Sequence, residues 1–505
     1  MESYDNMDGV RMKVKLPHSF YIYASEFTLE SILREISICA FNVFKKNDKD
    51  IGRFGKWSEY SVKIGNSKIK NRVFIAQTWL IDMIYDLICY NNYGNKEMKQ
   101  EEVLHLIALY NDYCNKLEGT RIKKSADIFL NVYGFFGEQK RFQNINELFE
   151  EFAREKYILD IISKKENPYA INVKQDILER TGFSSDDFSM LVFFLFAYFA
   201  YYLPFVKKAN IYYKTSTPIL SRDNFIKVID KYSITIDEVR KSSLNRQTFY
   251  TNPIIKINDE YISSNPMLLL CLFTNCNYWE MRNLYKSKEN GNYKFLNAFG
   301  GFFEMYVEEI LNNCISDYCY KRIPEDNNSK RADWYLNING IEFLVEQKSG
   351  LSLLGIKQNQ TDIELLKEHI LKNWGKAVKQ LYSTQKALNL QSPIKIILVY
   401  EDYYMSECLD ELFRLDESLK NDGKYWLVTI REFEMLLMTC CEENEIFMKI
   451  VNEKNEAEIK HSNSGRDLVR FFEKHQIFKN EYLYKFGIMK QFSDIKEKVV
   501  SNLIK

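Results

Sequence analysis

Two carboxylates and a lysine in the second half of the chain have the types and spacing of a hydrolytic site. Asp333 lies in the stretch RADWYL, and Glu346 and Lys348 follow in LVEQKSG, thirteen and fifteen positions further on. Carboxylates offer the hard oxygen ligands that suit Mg²⁺ or Mn²⁺. Such a metal lowers the pKa of a bound water and neutralises charge on a phosphate under attack, and a nearby ammonium can orient that water. If the fold brings these residues together, they predict metal-dependent hydrolysis.

A tight turn between the two carboxylates should place them face to face. Asn339-Gly340 is a strong signal for a two-residue hairpin, because both central residues of a type I′ turn need positive φ. The resulting register sets Asp333 opposite Glu346, and side-chain alternation puts Lys348 on the face of Glu346. The other face carries apolar residues that we expect in the core: Trp334, Leu336, Ile338, Ile341, Phe343 and Val345. The alternative is a charged, solvent-facing hairpin in which Lys348 pairs with either carboxylate.

The elements around this hairpin predict an α/β sandwich. Residues 295–313 have helical periodicity, with Glu304 at the border of the apolar face. A long helix is predicted over 362–388. Apolar runs at 394–400 and 425–430 are typical of strands buried on both faces. The order helix, hairpin, helix, strand, helix, strand, helix predicts a mixed central sheet flanked by helices.

Residues 295–430, about a quarter of the chain, resemble the PD-(D/E)xK nuclease superfamily, the restriction-endonuclease-like fold. Five residues match the family's site in type and order: Glu304, Asp333, Glu346, Lys348 and Gln380. The resemblance implies that Asp333 and Glu346 bind metal with support from Glu304. It also implies that Lys348 serves the attacking water and that Gln380 approaches the site. Ala332 stands where the family name has a proline, a replacement that is common in the family.

The resemblance implies a Mg²⁺- or Mn²⁺-dependent endonuclease acting on nucleic acid, with DNA expected in preference to RNA. By analogy we expect a role in bacterial anti-phage or restriction-type defence, as a homo-oligomer or with partner proteins of such a system. The alternative is a catalytically inactive protein that keeps the fold for nucleic-acid binding or as a scaffold. The intact set of Asp333, Glu346 and Lys348 favours the enzyme, because drift in an inactive copy usually removes at least one of them.

Charge gives no global attraction for nucleic acid, because 69 basic residues balance 69 acidic ones. Any binding surface must therefore be local. One candidate is the stripe Lys372, Lys376 and Lys379 on the predicted helix, and another is the Lys330-Arg331 pair before the hairpin. The alternative for each is an ordinary solvated surface.

Cysteine usage argues against a zinc ribbon or finger. The ten cysteines include no C-x-x-C pair, and the five histidines are scattered. No secretory signal opens the sequence, so we expect reduced thiols in a cytoplasmic protein.

The N-terminal half reads as a mostly α-helical domain, residues 1–290, for targeting, sensing or assembly, followed by the nuclease-like domain, 291–505. A hairpin is predicted at 253–264, turning at Asn258-Asp259. The predicted helices are 26–45, 72–91, 100–117, 145–163, 172–181, 222–232 and 266–287.

One segment, residues 188–206, has 19 residues without a charge and is long enough to span a bilayer. Acidic residues precede it and lysines follow it, as in a soluble helix, and Ser184 or Ser185 would make an N-cap. Its aromatic residues are spread throughout, whereas membrane belts concentrate them at the ends. We expect a buried central helix of the N-terminal domain and no membrane association, with a membrane anchor as the alternative.

Overall fold

The structure is a computed structural model of the chain. It describes residues 2–7, 10–15, 18–45, 53–64, 67–90, 92–124, 142–165, 171–211, 213, 215–243, 245–288, 293–324, 330–351, 363–401, 406–460 and 465–503. Within these ranges the chain is a mixed α/β protein in which many helices surround mixed sheets. This confirms the general fold class predicted from the sequence.

The helices of the described residues fall into two series along the chain. The first series is α1 His18–Ala24, α2 Leu29–Lys45, α3 Gln77–Tyr90, α4 Gln100–Lys124, α5 Ile145–Asp160, α6 Val173–Thr181, α7 Ser185–Ala197, α8 Arg222–Lys231, α9 Ile236–Lys241, α10 Thr248–Thr251, α11 Pro266–Thr274 and α12 Cys276–Lys288. The second series is α13 Tyr293–Cys314, α14 Ile363–His369, α15 Gly375–Ala387, α16 Cys408–Leu415, α17 Ile430–Glu442, α18 Asn444–Ile459, α19 Leu468–Lys474, α20 Glu481–Lys485 and α21 Lys490–Leu503.

The strands of the described residues form four sheets. Two are separate hairpins, β1 Glu2–Met7 with β2 Val10–Lys15 and β3 Gly55–Ile64 with β4 Ser67–Ala76. A four-stranded sheet has the order β5-β8-β7-β6, built from β5 Phe205–Lys207, β6 Ser233–Thr235, β7 Ile254–Ile257 and β8 Glu260–Ser263. The largest sheet contains β9 Tyr320–Arg322, β10 Trp334–Ile338, β11 Ile341–Lys348, β12 Ile394–Val399 and β13 Tyr425–Thr429.

The five-stranded sheet carries the predicted site. Its order is β13-β12-β11-β10-β9, with β11 to β13 parallel and β9 to β11 antiparallel. The turn between β10 and β11 has positive φ at both positions, 55° at Asn339 and 81° at Gly340. Trp334 pairs with Val345, so the register predicted from this turn is confirmed.

The sheet separates two layers of apolar side chains. On one face, Trp334, Leu336, Phe343 and Val345 join the large core that continues into the N-terminal half, and α17 contacts β12 and β13. On the other face, Leu344 joins a smaller core under α15, which contacts β11. Because side chains alternate along β11, the smaller core lies on the face that also carries the predicted site.

The helix predicted over 362–388 is confirmed with an interruption. Residues 370–374 form a π-helical turn between α14 and α15. The two apolar runs after it are strands as predicted, and every residue of β12 and β13 is buried.

Most elements predicted for the N-terminal half are confirmed, but two helices are not as expected. The helix predicted over 72–91 is wrong in its first part, because the chain up to Ala76 belongs to β4 and the helix starts at Gln77. The helix predicted over 266–287 is two helices, α11 and α12, which are separated by Asn275. The hairpins β1–β2 and β3–β4 were not predicted. The N-terminal half is therefore helical with small sheets added to it.

The aromatic segment around α7 is a buried helix, as predicted. Ser184 caps it, because its Oγ accepts the backbone N–H of Asp187 at 3.2 Å. Every side chain from Phe188 to Ala200 is buried. Among the described helices, none is long and apolar enough by itself to cross a membrane. Helices α6 and α7, the latter extended to Tyr202, meet that test only as a pair bent by 51°.

The C-terminal helix α21 returns to the N-terminal half. It contacts α5 and α7, and Phe492 stacks on Phe149 with ring centroids 4.3 Å apart. One hydrophobic core therefore includes residues from both sides of the predicted boundary at 290/291. The division into 1–290 and 291–505 stays a prediction.

Candidate metal and active site

Asp333 and Glu346 lie opposite each other where β11 approaches its C-terminal end. The backbone N–H of Asp333 donates to the carbonyl of Val345 at 3.0 Å, and its carbonyl accepts the N–H of Ile323 at 2.8 Å. Asp333 lies in a bend directly before β10, and these two bonds tie it to β11 on one side and to the residue after β9 on the other. Its Oδ2 accepts the backbone N–H of Gln347 at 2.7 Å.

Both carboxylates of this pair are poorly solvated. Glu346 is 3% exposed, and its Oε2 is buried with no hydrogen-bond partner among the described residues. Burial, and then repulsion from Glu346, raises the pKa of Asp333 from 3.8 to about 8. Burial also raises the pKa of Glu346, while Lys348 opposes that shift. The raised pKa of Asp333 favours its protonated form at neutral pH in the metal-free site.

Lys348 is held between the sheet and α15. Its Nζ lies 2.5 Å from Oε1 of Glu346 and 3.3 Å from Oε1 of Gln380. The amide of Gln380 is fixed in turn, because its Nε2 donates to the carbonyl of Arg331 at 3.1 Å. Gln380 therefore reaches the ammonium, and its side chain also hydrogen-bonds Glu346, which opposes the rise in the pKa of that carboxyl.

Glu304 approaches the pair but has its own partner. It is half-buried on α13, and its Oε1 forms an ion pair with the Arg322 guanidinium on β9. After burial and Glu346, the charge of Glu304 also contributes to the raised pKa of Asp333. In the part of the chain that the structure describes, no three His, Cys, Asp or Glu residues gather as a metal site. Metal ligation by Glu304 therefore stays a prediction.

Asp333 and Glu304 open into a cleft of about 380 Å³. Its lining includes Asp333, Glu304 and Ser349, together with Gly300 and Gly301 of α13. A Cβ added to Gly300 would lie 3.4 Å from the Oγ of Ser349. The two glycines therefore keep one wall of the cleft free of side chains next to the acidic pair.

The lysine stripe on the π-helical turn and α15 is only partly available for nucleic acid. Lys372 pairs with Glu368, and the Nζ of Lys379 lies 3.6 Å from Asp416. Lys376 is exposed. These surface pairs are weak, so the stripe remains a candidate for binding.

The other basic candidates, Lys330 and Arg331, lie directly before the site. Lys330 is exposed and Arg331 is half-buried. Burial raises the pKa of Glu346, and Lys330 is among the groups whose charge opposes that shift. Arg331 contributes through its backbone carbonyl, which accepts the amide of Gln380.

Sequence reasoning missed two supports of the site. Thr384 accepts the N–H of Ala332 through Oγ1 at 2.8 Å and thereby fixes the segment before Asp333 to α15. Its position four residues after Gln380, one helical turn, is a signal that could have found it. The second support is the backbone N–H of Gln347, which donates to Asp333. A backbone donor cannot be predicted from the type of the residue that carries it.

A divalent metal fits the donor set of Asp333 and Glu346. Both supply hard carboxylate oxygens, and Mg²⁺ is commonly held by one or two carboxylates together with waters and substrate phosphate. A cation there would give the orphaned Oε2 of Glu346 a partner and offset the repulsion that raises the pKa of Asp333.

Comparisons with known proteins add no relative. Neither protein-family models, nor curated proteins, nor solved structures give a match to this chain. The likeness to PD-(D/E)xK nucleases therefore depends on the residues and geometry of the site itself.

Proposed function

We propose that this protein is a metal-dependent nuclease that hydrolyses phosphodiester bonds of nucleic acid, DNA before RNA, on a restriction-endonuclease-like C-terminal domain. One observation carries the proposal: the half-buried carboxylate of Asp333, whose pKa is raised, lies beside the buried carboxylate of Glu346, which is paired with the ammonium of Lys348. Buried like charges are costly, and strongly shifted carboxylates in a cleft are typical of sites where a ligand supplies the missing charge.

Each residue of the candidate site would have a separate role in this hydrolysis. Asp333 and Glu346 would hold Mg²⁺ or Mn²⁺, which when bound supplies a more acidic water and neutralises charge on the phosphate. The Nζ of Lys348 is the group placed to orient that water, because it extends from the same face as Glu346. Gln380 is a positioning residue, since it contacts the ammonium and is itself tied to Arg331.

The order of strands and helices supports the part of the proposal that concerns the restriction-endonuclease-like fold. An antiparallel hairpin continues into the parallel strands β12 and β13, and α15 covers the face that bears Glu346. This is the arrangement that the family resemblance implies for residues 295–430.

The biological setting is proposed by analogy alone. Nucleases of this kind with an added N-terminal domain often serve anti-phage or restriction-type defence in bacteria. The N-terminal half would then supply targeting, sensing or assembly with other copies or partner proteins.

A cleavage assay tests the proposal directly. The purified chain is incubated with plasmid, linear duplex DNA, single-stranded DNA and RNA, in Mg²⁺, Mn²⁺ or EDTA. Glu346→Gln removes a proposed metal ligand while keeping the shape of the side chain. Glu342→Gln is the matched control, because Glu342 lies on the same face of β11 and bonds only the Tyr335 hydroxyl in the described structure.

Cleavage that needs metal, disappears in Glu346→Gln and persists in Glu342→Gln is the expected result. Undiminished cleavage by Glu346→Gln would place the chemistry elsewhere in the chain. A wild-type protein that binds DNA and cleaves no substrate with any metal would instead support the inactive, nucleic-acid-binding alternative.

A further inference from the structure

A second cleft adjoins the proposed active site on the side of the N-terminal half. It measures about 490 Å³ and shares Leu296, Gln347 and Ser349 with the cleft that opens on Asp333. The two clefts are therefore neighbours, and we call them together the groove. Arg282, which comes from α12 in the N-terminal half, lines the second part of this groove.

The cations along this part of the groove differ in their partners. Lys348 pairs with Glu346, and Lys372 pairs with Glu368. For Arg282, the described residues provide neither a hydrogen bond nor an ion pair. A guanidinium always carries its charge and presents five N–H donors in a planar fork. Among the described residues that line this cleft, Arg282 is therefore a cation whose donors are left for an anion.

The position of Arg282 is set before any ligand arrives. Its guanidinium carbon lies 5.0 Å from the centre of the Trp279 ring, one turn earlier on α12. The start of α12 is anchored to α5, because Glu155 accepts the backbone N–H of Tyr278 at 2.7 Å. A side chain held in this way loses little freedom on binding, which favours affinity.

We propose that Arg282 binds a phosphate of the nucleic-acid strand next to the one that is cleaved, so that the N-terminal half forms part of the substrate groove. The inference rests on the proposed function, since it assumes that the scissile phosphate lies at Asp333 and Glu346. Arginine suits this role because its fork matches two phosphate oxygens. The substrate is then a polynucleotide strand that extends from the active site toward α12.

Binding of a labelled DNA oligonucleotide, single-stranded and duplex, tests the role of Arg282. Fluorescence anisotropy is measured in EDTA, so that metal-dependent cleavage cannot begin. Arg282→Gln is compared with Lys286→Gln, which removes an equal charge one turn further along α12 from an exposed residue outside the groove. A thermal melt of each variant checks that the fold is intact.

Arg282→Gln should weaken binding about tenfold at low salt and reduce the slope of log affinity against log salt by about 0.7–0.9, the share of one phosphate contact. Lys286→Gln should stay within about twofold of wild type, because a solvated lysine away from the strand adds only long-range attraction. In cleavage assays, Arg282→Gln should raise KM more than it lowers kcat, since the contact is made to bound substrate as well as to the transition state.

The outcomes separate this inference from the proposed nuclease. If Arg282→Gln binds DNA as well as wild type does, and wild type cleaves it, the proposed role of Arg282 is wrong. The proposed nuclease activity is then unaffected. An equal loss in Lys286→Gln also overturns it, because net charge alone would then explain the effect. If Arg282→Gln weakens DNA binding but wild type cleaves no substrate, the result supports DNA binding by Arg282 and contradicts the proposed nuclease activity. Wild type that neither binds nor cleaves overturns both.

Discussion

Buried charge is arranged in opposite ways in two regions of this molecule. Between α5 and α17, Arg154 and Glu434 are both 0% exposed, and two N–H groups of the guanidinium reach the two carboxylate oxygens at 2.6 and 2.7 Å. Tyr306 and Asn480 donate to the same oxygens at 2.6 and 2.5 Å. At the sheet end, by contrast, Asp333 lies beside Glu346, which has a buried oxygen without a hydrogen-bond partner among the described residues.

On the proposed function, the difference is that between a structural cluster and a site that a metal ion would complete. In the Arg154 cluster both carboxylate oxygens of Glu434 accept N–H or O–H donors, and the ion pair joins a helix of the N-terminal half to one of the C-terminal half. At the Asp333 pair, two carboxylates lie close together with one ammonium on Glu346, so ionisation of both is unfavourable unless a further positive charge is supplied. A polar cluster that is satisfied rigidifies a core, whereas one that is left unsatisfied is expected at functional sites.

The largest effect should come from breaking the buried ion pair between Arg154 and Glu434. Arg154→Met leaves Glu434 buried without its counterion, and this should lower the free energy of unfolding by about 3–5 kcal/mol. Urea denaturation followed by circular dichroism measures the change. The control is the double variant Arg154→Met/Glu434→Met, which removes both charges and should recover much of the loss. A single variant within about 1 kcal/mol of wild type would contradict the structural role.

The next largest effect concerns catalytic activity at the carboxylate pair of Asp333 and Glu346. Lys348→Ala and Glu346→Ala should each reduce metal-dependent cleavage at least about 100- to 1,000-fold, as removal of a group that stabilises the transition state does. Glu346→Ala should weaken Mg²⁺ binding as well, whereas Lys348→Ala should retain it. Isothermal titration with Mg²⁺ separates the two. Lys386→Ala is the control, because this exposed lysine lies in the last turn of α15 and packs on the ring of Tyr382.

Glu346→Ala should also leave the metal-free protein at least as stable as wild type, because it removes one member of a repelling pair. A large loss of stability in this variant, comparable to that of Arg154→Met, would mean that the two regions do not differ in the way proposed.

The register of the site could be predicted from the sequence because it depends on a local feature. Asn339-Gly340 selects the turn, and the turn selects which residues of the hairpin face each other. The apolar face followed from the alternation of side chains. Long, strongly periodic or strongly apolar segments such as β12 were predictable for the same reason.

Charge partners were not predictable, because they depend on elements brought together by the tertiary fold. The ion pair between Arg322 and Glu304 depends on the position of β9, a strand of 3 residues. Such a short strand has no sequence pattern from which it could be predicted. The boundary at Gln77 was missed because an apolar run continues from β4 into α3 without a change of composition. Periodicity cannot locate a boundary inside such a run.

A smaller effect should appear in the dependence of stability on pH. The pKa of Asp333 is raised from 3.8 to about 8 in the folded, metal-free protein, so the unfolded chain releases this proton at lower pH than the folded one. Stability should therefore fall between pH 4 and pH 8, by on the order of 2 kcal/mol after allowance for solvent screening. Thermal melts in EDTA across this range measure the fall.

Asp333→Asn should flatten that fall, because the residue no longer titrates. Added Mg²⁺ should oppose the fall in wild type, since the metal binds the ionised carboxylates. An identical pH dependence in Asp333→Asn and wild type would show that another group is responsible.

A still smaller effect is expected from Gln380, which acts through Lys348. Gln380→Ala should lower kcat about tenfold with KM nearly unchanged, because it frees the ammonium without removing a substrate contact. Gln380→Glu keeps an acceptor for the ammonium and should recover part of the rate. Gln385→Ala is the control on the same helix, since Gln385 bonds Lys395 and the Leu390 carbonyl away from the site. Equal losses in both variants would indicate a general defect of α15.

Glu304→Ala should have the smallest effect on cleavage, a loss of less than about tenfold. Its carboxylate is engaged by Arg322 in the metal-free protein, so it reaches the pair by its charge and not by a contact that the structure shows. Removing it should also ease the repulsion around Asp333 and lower the pH at which Mg²⁺ binds, which titration of metal affinity against pH would detect. Arg322→Gln tests the same point from the other side, because it releases Glu304. A loss in Glu304→Ala as deep as that in Glu346→Ala would show that Glu304 leaves Arg322 and becomes a metal ligand when the ion is bound.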